Sequence, residues 1–263
     1  MCSLSALTVL LSACAHVPIS TSARQKPANL LTSSHAAQEE YSERIAAISA
    51  LCGDAKIKVR AGLQRIIFSQ EIIAARPRYL RIETLTPLGH ASSILTSNDQ
   101  TLAFYDAGEG SIRRVPPTAE GVKMLFPIDI SPEEFVRVAL AVPYCPLQQL
   151  DKMDYENSTN TYRLVYAAGT LQECSIWVDP TQFYPLKYQL KREDDTFSAY
   201  FRGFIPIHTT AGPARGEKII WFPQEILLVW EGKEDQKMTI AWQKTDLNCK
   251  TSPEAFSLPL PAE

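Results

Sequence analysis

The most pointed chemistry in this chain belongs to cysteine, and it begins at Leu11-Ser12-Ala13-Cys14. A small residue ahead of a cysteine leaves the preceding bond open to a signal peptidase, and Cys14 then becomes a lipidated first residue. Leu4 to Leu11 (LSALTVLL) is an apolar run of secretory-leader length, too short to cross a bilayer. A buried N-terminal helix that happens to end in Cys is the alternative reading. No Lys or Arg precedes the run, so the expectation is a leader over residues 1–13 with a truncated start. One acyl chain holds a protein to a membrane only marginally, whereas the two or three on such a cysteine anchor it stably. Ala15, where an Asp would mean inner-membrane retention, favours the outer membrane and its periplasmic face.

With Cys2 set aside as part of the leader, the four remaining cysteines, Cys52, Cys145, Cys174 and Cys249, contain no CxxC pair and so give no zinc pattern. In an oxidising compartment they are candidates for disulfides in any of three connectivities, with buried free thiols as the alternative. His90 and His208 sit in no metal-ligand or triad context, and neither a G-x-S-x-G elbow nor a phosphate loop is present. Gly108-Glu109-Gly110 reads as a hairpin turn, and Glu193-Asp194-Asp195 as a charged turn. The expectation is therefore a protein that is no enzyme and uses neither cofactor nor metal. A formal net charge of −3 argues against a nucleic-acid surface.

The elements that must position these residues follow from hydrophobic period. Residues 14–34 form the lipidated cysteine and a Ser/Thr/Ala/Pro-rich tether, and residues 35–263 a single domain. A helix is predicted from His35 to Leu51, capped by Ser33 or Ser34 and stopped by Gly53. The period then alternates: Ala55, Ile57 and Val59 point one way and Lys56, Lys58 and Arg60 the other. Strands are predicted at Gln64–Ala74, Tyr79–Leu85, Ser92–Ser97, Thr101–Asp106 and Ile112–Val115, separated by turn residues at antiparallel-meander spacing. Helices are predicted at Thr118–Leu125 and Pro132–Ala141, the second with Ser131 as cap and Glu133-Glu134 on its dipole. Further strands are predicted at Thr161–Ala168, Gln172–Asp179, Leu186–Lys191, Thr196–Gly203, Lys218–Phe222, Glu225–Trp230 and Met238–Asp246. An antiparallel sheet of about ten strands or more tends to curl or close. The fold class expected is α+β: a half-open β-barrel made of a curved antiparallel sheet, with helices as a lid.

Two runs, Arg76–Gly89 (RPRYLRIETLTPLG) and Ser93–Asp106 (SILTSNDQTLAFYD), resemble the lipoprotein-sorting superfamily of LolA and LolB. The Arg76-Pro77 step and the second run look like the periplasmic carrier LolA. The strand ending in Thr86-Pro87-Leu88-Gly89 looks like the outer-membrane receptor LolB, itself a lipoprotein. Ala141-Val142-Pro143 also ends a helical segment where the family has helices and a Pro-containing loop.

The resemblance implies that the curved sheet wraps round an apolar cavity, closed at one mouth by the helices, which accepts acyl chains of another lipoprotein from a LolA-like carrier, with Leu88 protruding to help insert cargo into the membrane. It also implies that Arg76 bonds to the lid. Leu80 and Ile82 are the cavity-facing residues by strand parity, and Phe135 and Leu140 the candidates on the lid. A leucine folded back on the core remains the alternative for Leu88, plain core packing for Phe135 and Leu140, and solvation for Arg76. The physics suits such a site: at about 0.8 kcal/mol per buried methylene, eight supply roughly 6 kcal/mol before ordering costs. The alternative function is a structural or docking lipoprotein of an envelope assembly, with the fold kept but no lipid moved. An open apolar lumen separates the first reading from a lumen plugged by its own side chains.

Overall fold

A computed structural model describes residues 30–61, 64–126, 128–145, 150–168, 172–209, 218–232 and 236–258. The expected leader, Cys14 and most of the tether lie outside these described residues. Helix α1 (Ser34–Ala47) starts where the Ser33 hydroxyl accepts the Ala36 N–H. It leads into a meander of β1 (Ala50–Ala61), β2 (Gln64–Ala75), β3 (Tyr79–Leu85), β4 (Ala91–Ser97), β5 (Leu102–Asp106) and β6 (Ser111–Val115). Helices α2 (Ala119–Leu125) and α3 (Pro132–Ala139) follow, capped by the hydroxyls of Thr118 and Ser131. A second meander runs through β7 (Lys152–Glu156), β8 (Thr161–Ala168), β9 (Gln172–Val178), β10 (Pro185–Lys191), β11 (Thr196–Thr209), β12 (Lys218–Glu231) and β13 (Gln236–Leu247).

The 13 strands among the described residues form one antiparallel sheet, ordered β6 to β1 and then β13 to β7, which does not close. The two meanders are joined where β1 pairs with β13 along nearly its whole length. Both disulfides brace this arrangement. Cys52 on β1 bonds Cys249 just past β13, and Cys145 after α3 bonds Cys174 on β9.

Several boundaries differ from those the sequence predicts. The first helix ends at Ala47 and β1 already begins at Ala50, so Gly53 stops nothing and lies inside the strand. Its reason is proximity: a Cβ there would stand 2.5 Å from the Lys244 carbonyl oxygen and 3.2 Å from the Trp242 ring. The two segments predicted at Lys218–Phe222 and Glu225–Trp230 are one strand running through Pro223, and β7 was not foreseen.

The hollow of the sheet is filled unevenly. Over the C-terminal meander, Tyr41 of α1 is buried and donates to the Pro143 carbonyl, while Arg44 donates to the Trp221 carbonyl at 2.9 Å. Tyr162, Phe183, Tyr188 and Phe197 complete this packed half. The N-terminal meander faces α2 and α3 instead, and there the packing leaves room.

Candidate functional site

The room is a cavity of about 440 Å³, walled by β1–β5 and β13 on one side and by α2, α3 and the segment between them on the other. That volume is in the range of small-molecule sites. Strand parity builds its sheet wall. Along β3 the inward residues are Leu80, Ile82 and Thr84, and pairing extends each into a row across neighbouring strands.

The rows change character along the strands. At one end Leu80 and Leu102 are almost fully buried, as are Ile130 and Phe135 opposite them. The next row, Ile82–Leu95–Phe104, is half-buried, and the Phe104 ring meets Phe126 edge-on at 5.2 Å. The third row is polar: Gln70, Thr84, Ser93 and Asp106 are cross-strand partners in succession over β2, β3, β4 and β5. Burial thus decreases toward the ends of the strands that carry the β3–β4 and β5–β6 hairpins, and this is where the cavity opens. From Thr84 to Leu80 is four residues along the strand, about 13 Å of depth.

Of the residues singled out in the sequence, Leu80, Ile82 and Phe135 line this cavity. Leu140 does not. It caps α3 and is fully buried in the core, because the helix is apolar on more of its circumference than the face that looks into the cavity. Arg76 also stands away from the cavity, in the turn after β2 at the closed end. Burial and the nearby charge of Arg137 depress its pKa, and its guanidinium makes no hydrogen bond to the helices among the described residues. The cation that reaches α3 from this turn is Arg78, whose Nη2 lies 3.4 Å from the Glu133 carboxylate.

Leu88 is 85 % exposed at the tip of the β3–β4 hairpin, on the open side. The tip is closed by three bonds, from Thr86 N–H to the His90 carbonyl, from Gly89 N–H to the Thr86 carbonyl and from His90 N–H to the Thr86 hydroxyl. Gly89 has φ +82°, a conformation that favours glycine and lets the chain reverse with Leu88 held outward. At the same end of the sheet, near the β1–β2 tip, Ile66 and Ile67 are about half-exposed, and Arg60 stands between Arg65 and Lys237 in register.

A second hollow of about 380 Å³ lies on the other side of α3, lined by charged and aromatic groups that include Glu134, Arg137, Tyr144 and Tyr188. Burial pushes the Glu134 carboxyl up to about 7, against the opposing pull of Arg192 at 3.5 Å and the Tyr188 hydroxyl. Among the described residues no group of three His, Cys, Asp or Glu gathers as metal ligands, and no helix is long and apolar enough to cross a membrane.

No family model matches the chain, and no curated protein matches it. Solved structures do. A DUF1329 family protein from Desulfovibrio piger superposes with a TM-score of 0.58 at 14 % identity, over 85 % of this chain and 96 % of that one. A LolA superfamily protein from Nitrosomonas europaea gives 0.51 at 12 % identity, over 87 % and 99 %. An outer membrane lipoprotein-sorting protein domain from Vibrio parahaemolyticus gives 0.53 at 8 % identity, over 84 % and 94 %. At these identities the likeness is one of fold, and it extends over nearly the whole domain.

Proposed function

We propose that this chain is a LolB-like lipoprotein, held by Cys14 in the outer membrane and facing the periplasm, whose cavity receives the acyl chains of other lipoproteins. The observation that carries the reading is the open, mostly apolar cavity between β1–β5 and α2–α3. On this reading the open sheet acts as a half-barrel and the helices as its lid, with a chain lying against Leu80, Ile82 and Phe135. The neighbours named for the LolA superfamily and for lipoprotein sorting share this fold, and the reading extends their names to this chain. A docking lipoprotein has no need of such an apolar space, whereas an acyl-chain receptor requires one.

Transfer along such a route requires no catalytic group or cofactor. A chain leaves a weaker holder for this cavity, and this cavity for a bilayer, by successive differences in affinity set by buried methylenes. On this reading Leu88, which is exposed beside the opening, touches the bilayer as the cargo leaves. The test mixes the protein with a LolA-like carrier loaded with a triacylated lipoprotein and follows the cargo by co-purification. Movement of cargo onto this chain supports the receptor reading, and no movement from an active carrier to the folded protein refutes it.

A further inference from the structure

The polar row at the opening is the feature a plain hydrocarbon site leaves unexplained. Gln70, Thr84, Ser93 and Asp106 occupy consecutive strands at one level, all facing the cavity, with Ile82, Leu95 and Phe104 directly below them. Polar groups covered by a hydrocarbon chain without hydrogen bonds are costly, so a ligand seated across this row must bring polar atoms to it. The row has capacity to spare. Gln70 donates to the Thr84 hydroxyl oxygen at 3.1 Å, which leaves the Thr84 O–H free to donate outward. The Ser93 hydroxyl is half-buried and has no hydrogen-bond partner among the described residues. One oxygen of Asp106 accepts the Gly108 N–H at 2.8 Å and the Glu109 N–H at 3.3 Å, leaving its other oxygen as an acceptor.

We propose that Gln70, Thr84, Ser93 and Asp106 form a collar for the acyl linkage of the ligand. The hydroxyls of Thr84 and Ser93 donate to an ester or amide carbonyl, and Asp106 accepts from a hydroxyl or amide N–H next to it. The chain then runs with its methyl end toward Leu80 and Leu102, and the linkage stays at the opening. The collar rests on the reading of the cavity as an acyl-chain site, and it assigns named residues to the ester or amide linkage that such a chain carries.

The test uses the full chain carrying Cys14→Ser, loaded with the neutral probe N-phenyl-1-naphthylamine. The probe is displaced by monomyristoyl glycerol or by tetradecyl glycerol ether, which has the same chain but lacks the carbonyl. The expected result is displacement by the ester at about tenfold lower concentration, the worth of one or two well-made hydrogen bonds. Thr84→Val with Ser93→Ala is expected to abolish that preference and leave the ether unchanged, and each single variant to abolish part of it. Equal displacement by ester and ether, or a preference that survives the double variant in folded protein, overturns the collar alone. Failure of the probe and both lipids to bind overturns the acyl-chain reading as well. Two further arms, a diacylglyceryl-cysteine lipopeptide and a lysophosphatidylcholine, distinguish a lipoprotein from a phospholipid as the source of the acyl ester; displacement by neither counts against the collar.

Discussion

Cys52 and Cys249 are bonded to each other across 197 residues, at the end of the β1–β13 pairing that joins the two meanders. The bond ties the first strand of the sheet to the segment after the last, so it closes nearly the whole domain into one loop. Cys145–Cys174 spans only 29 residues. In the chain-entropy model the longer loop contributes about 5 kcal/mol and the shorter about 3–4 kcal/mol. Urea unfolding of the two paired Cys→Ala variants is expected to rank them in that order.

Gly53→Ala tests the close approach within the β1–β13 ladder. The added methyl meets the Lys244 carbonyl, a backbone atom that cannot turn aside, at the irregularity between Asp54 and Ala55. A loss of about 1–3 kcal/mol is expected, read as a lowered Tm. An unchanged Tm would mean the two strands are farther apart than described.

Glu134 gives the domain a pH dependence whose sign follows from burial. Its carboxyl, ordinarily near 4.5, is pushed up to about 7 in the folded state. Between those values the folded protein keeps a proton that the unfolded chain has lost. The contribution to stability is therefore fully present below about pH 4.5 and is lost as pH rises through about 7. At most it amounts to about 3 kcal/mol. Glu134→Gln is expected to flatten this part of the stability profile and to be more stable than the parent at pH 8, as measured by denaturant titration across that range.

Leu88 separates function from folding. A side chain 85 % exposed contributes little to packing, so Leu88→Glu is expected to change unfolding free energy by no more than about 0.5 kcal/mol. Uptake of cargo from the carrier is expected to continue, while release into liposomes fails. Loss of uptake as well would place Leu88 in the binding step instead.

How much of this was legible in the sequence depends on the range of the physics involved. Alternation is local, so β3 (Tyr79–Leu85) and β8 (Thr161–Ala168) were read to the residue, and parity put Leu80 and Ile82 on the inner face. Caps are local too: Ser131 starts α3 as expected by accepting the Glu134 N–H, while Thr118, predicted as the first residue of its helix, is the cap of α2 and accepts the Gly121 N–H. The polar row was not legible, because Gln70, Thr84, Ser93 and Asp106 become neighbours only through the register of four strands. Nor could an amphipathic pattern tell Phe135, which borders an empty space, from Leu140, which borders the core. Lys152–Glu156 was missed because five residues with three charges carry too little apolar signal, although Met153 and Tyr155 do pack inward. Gly53 misled for a related reason: its role is set by Lys244 and Trp242, distant in sequence.

The most direct test of the acyl-chain cavity is photo-crosslinking with a myristoyl chain that carries a diazirine near its methyl end, followed by peptide mapping. The label is expected on the peptides bearing Leu80 and Ile82, Leu102 and Phe104, and Phe135, and to be lost when unlabelled monomyristoyl glycerol competes. Labelling confined to the outer face of the sheet, or labelling that the competitor leaves unchanged, would contradict an acyl chain in this cavity.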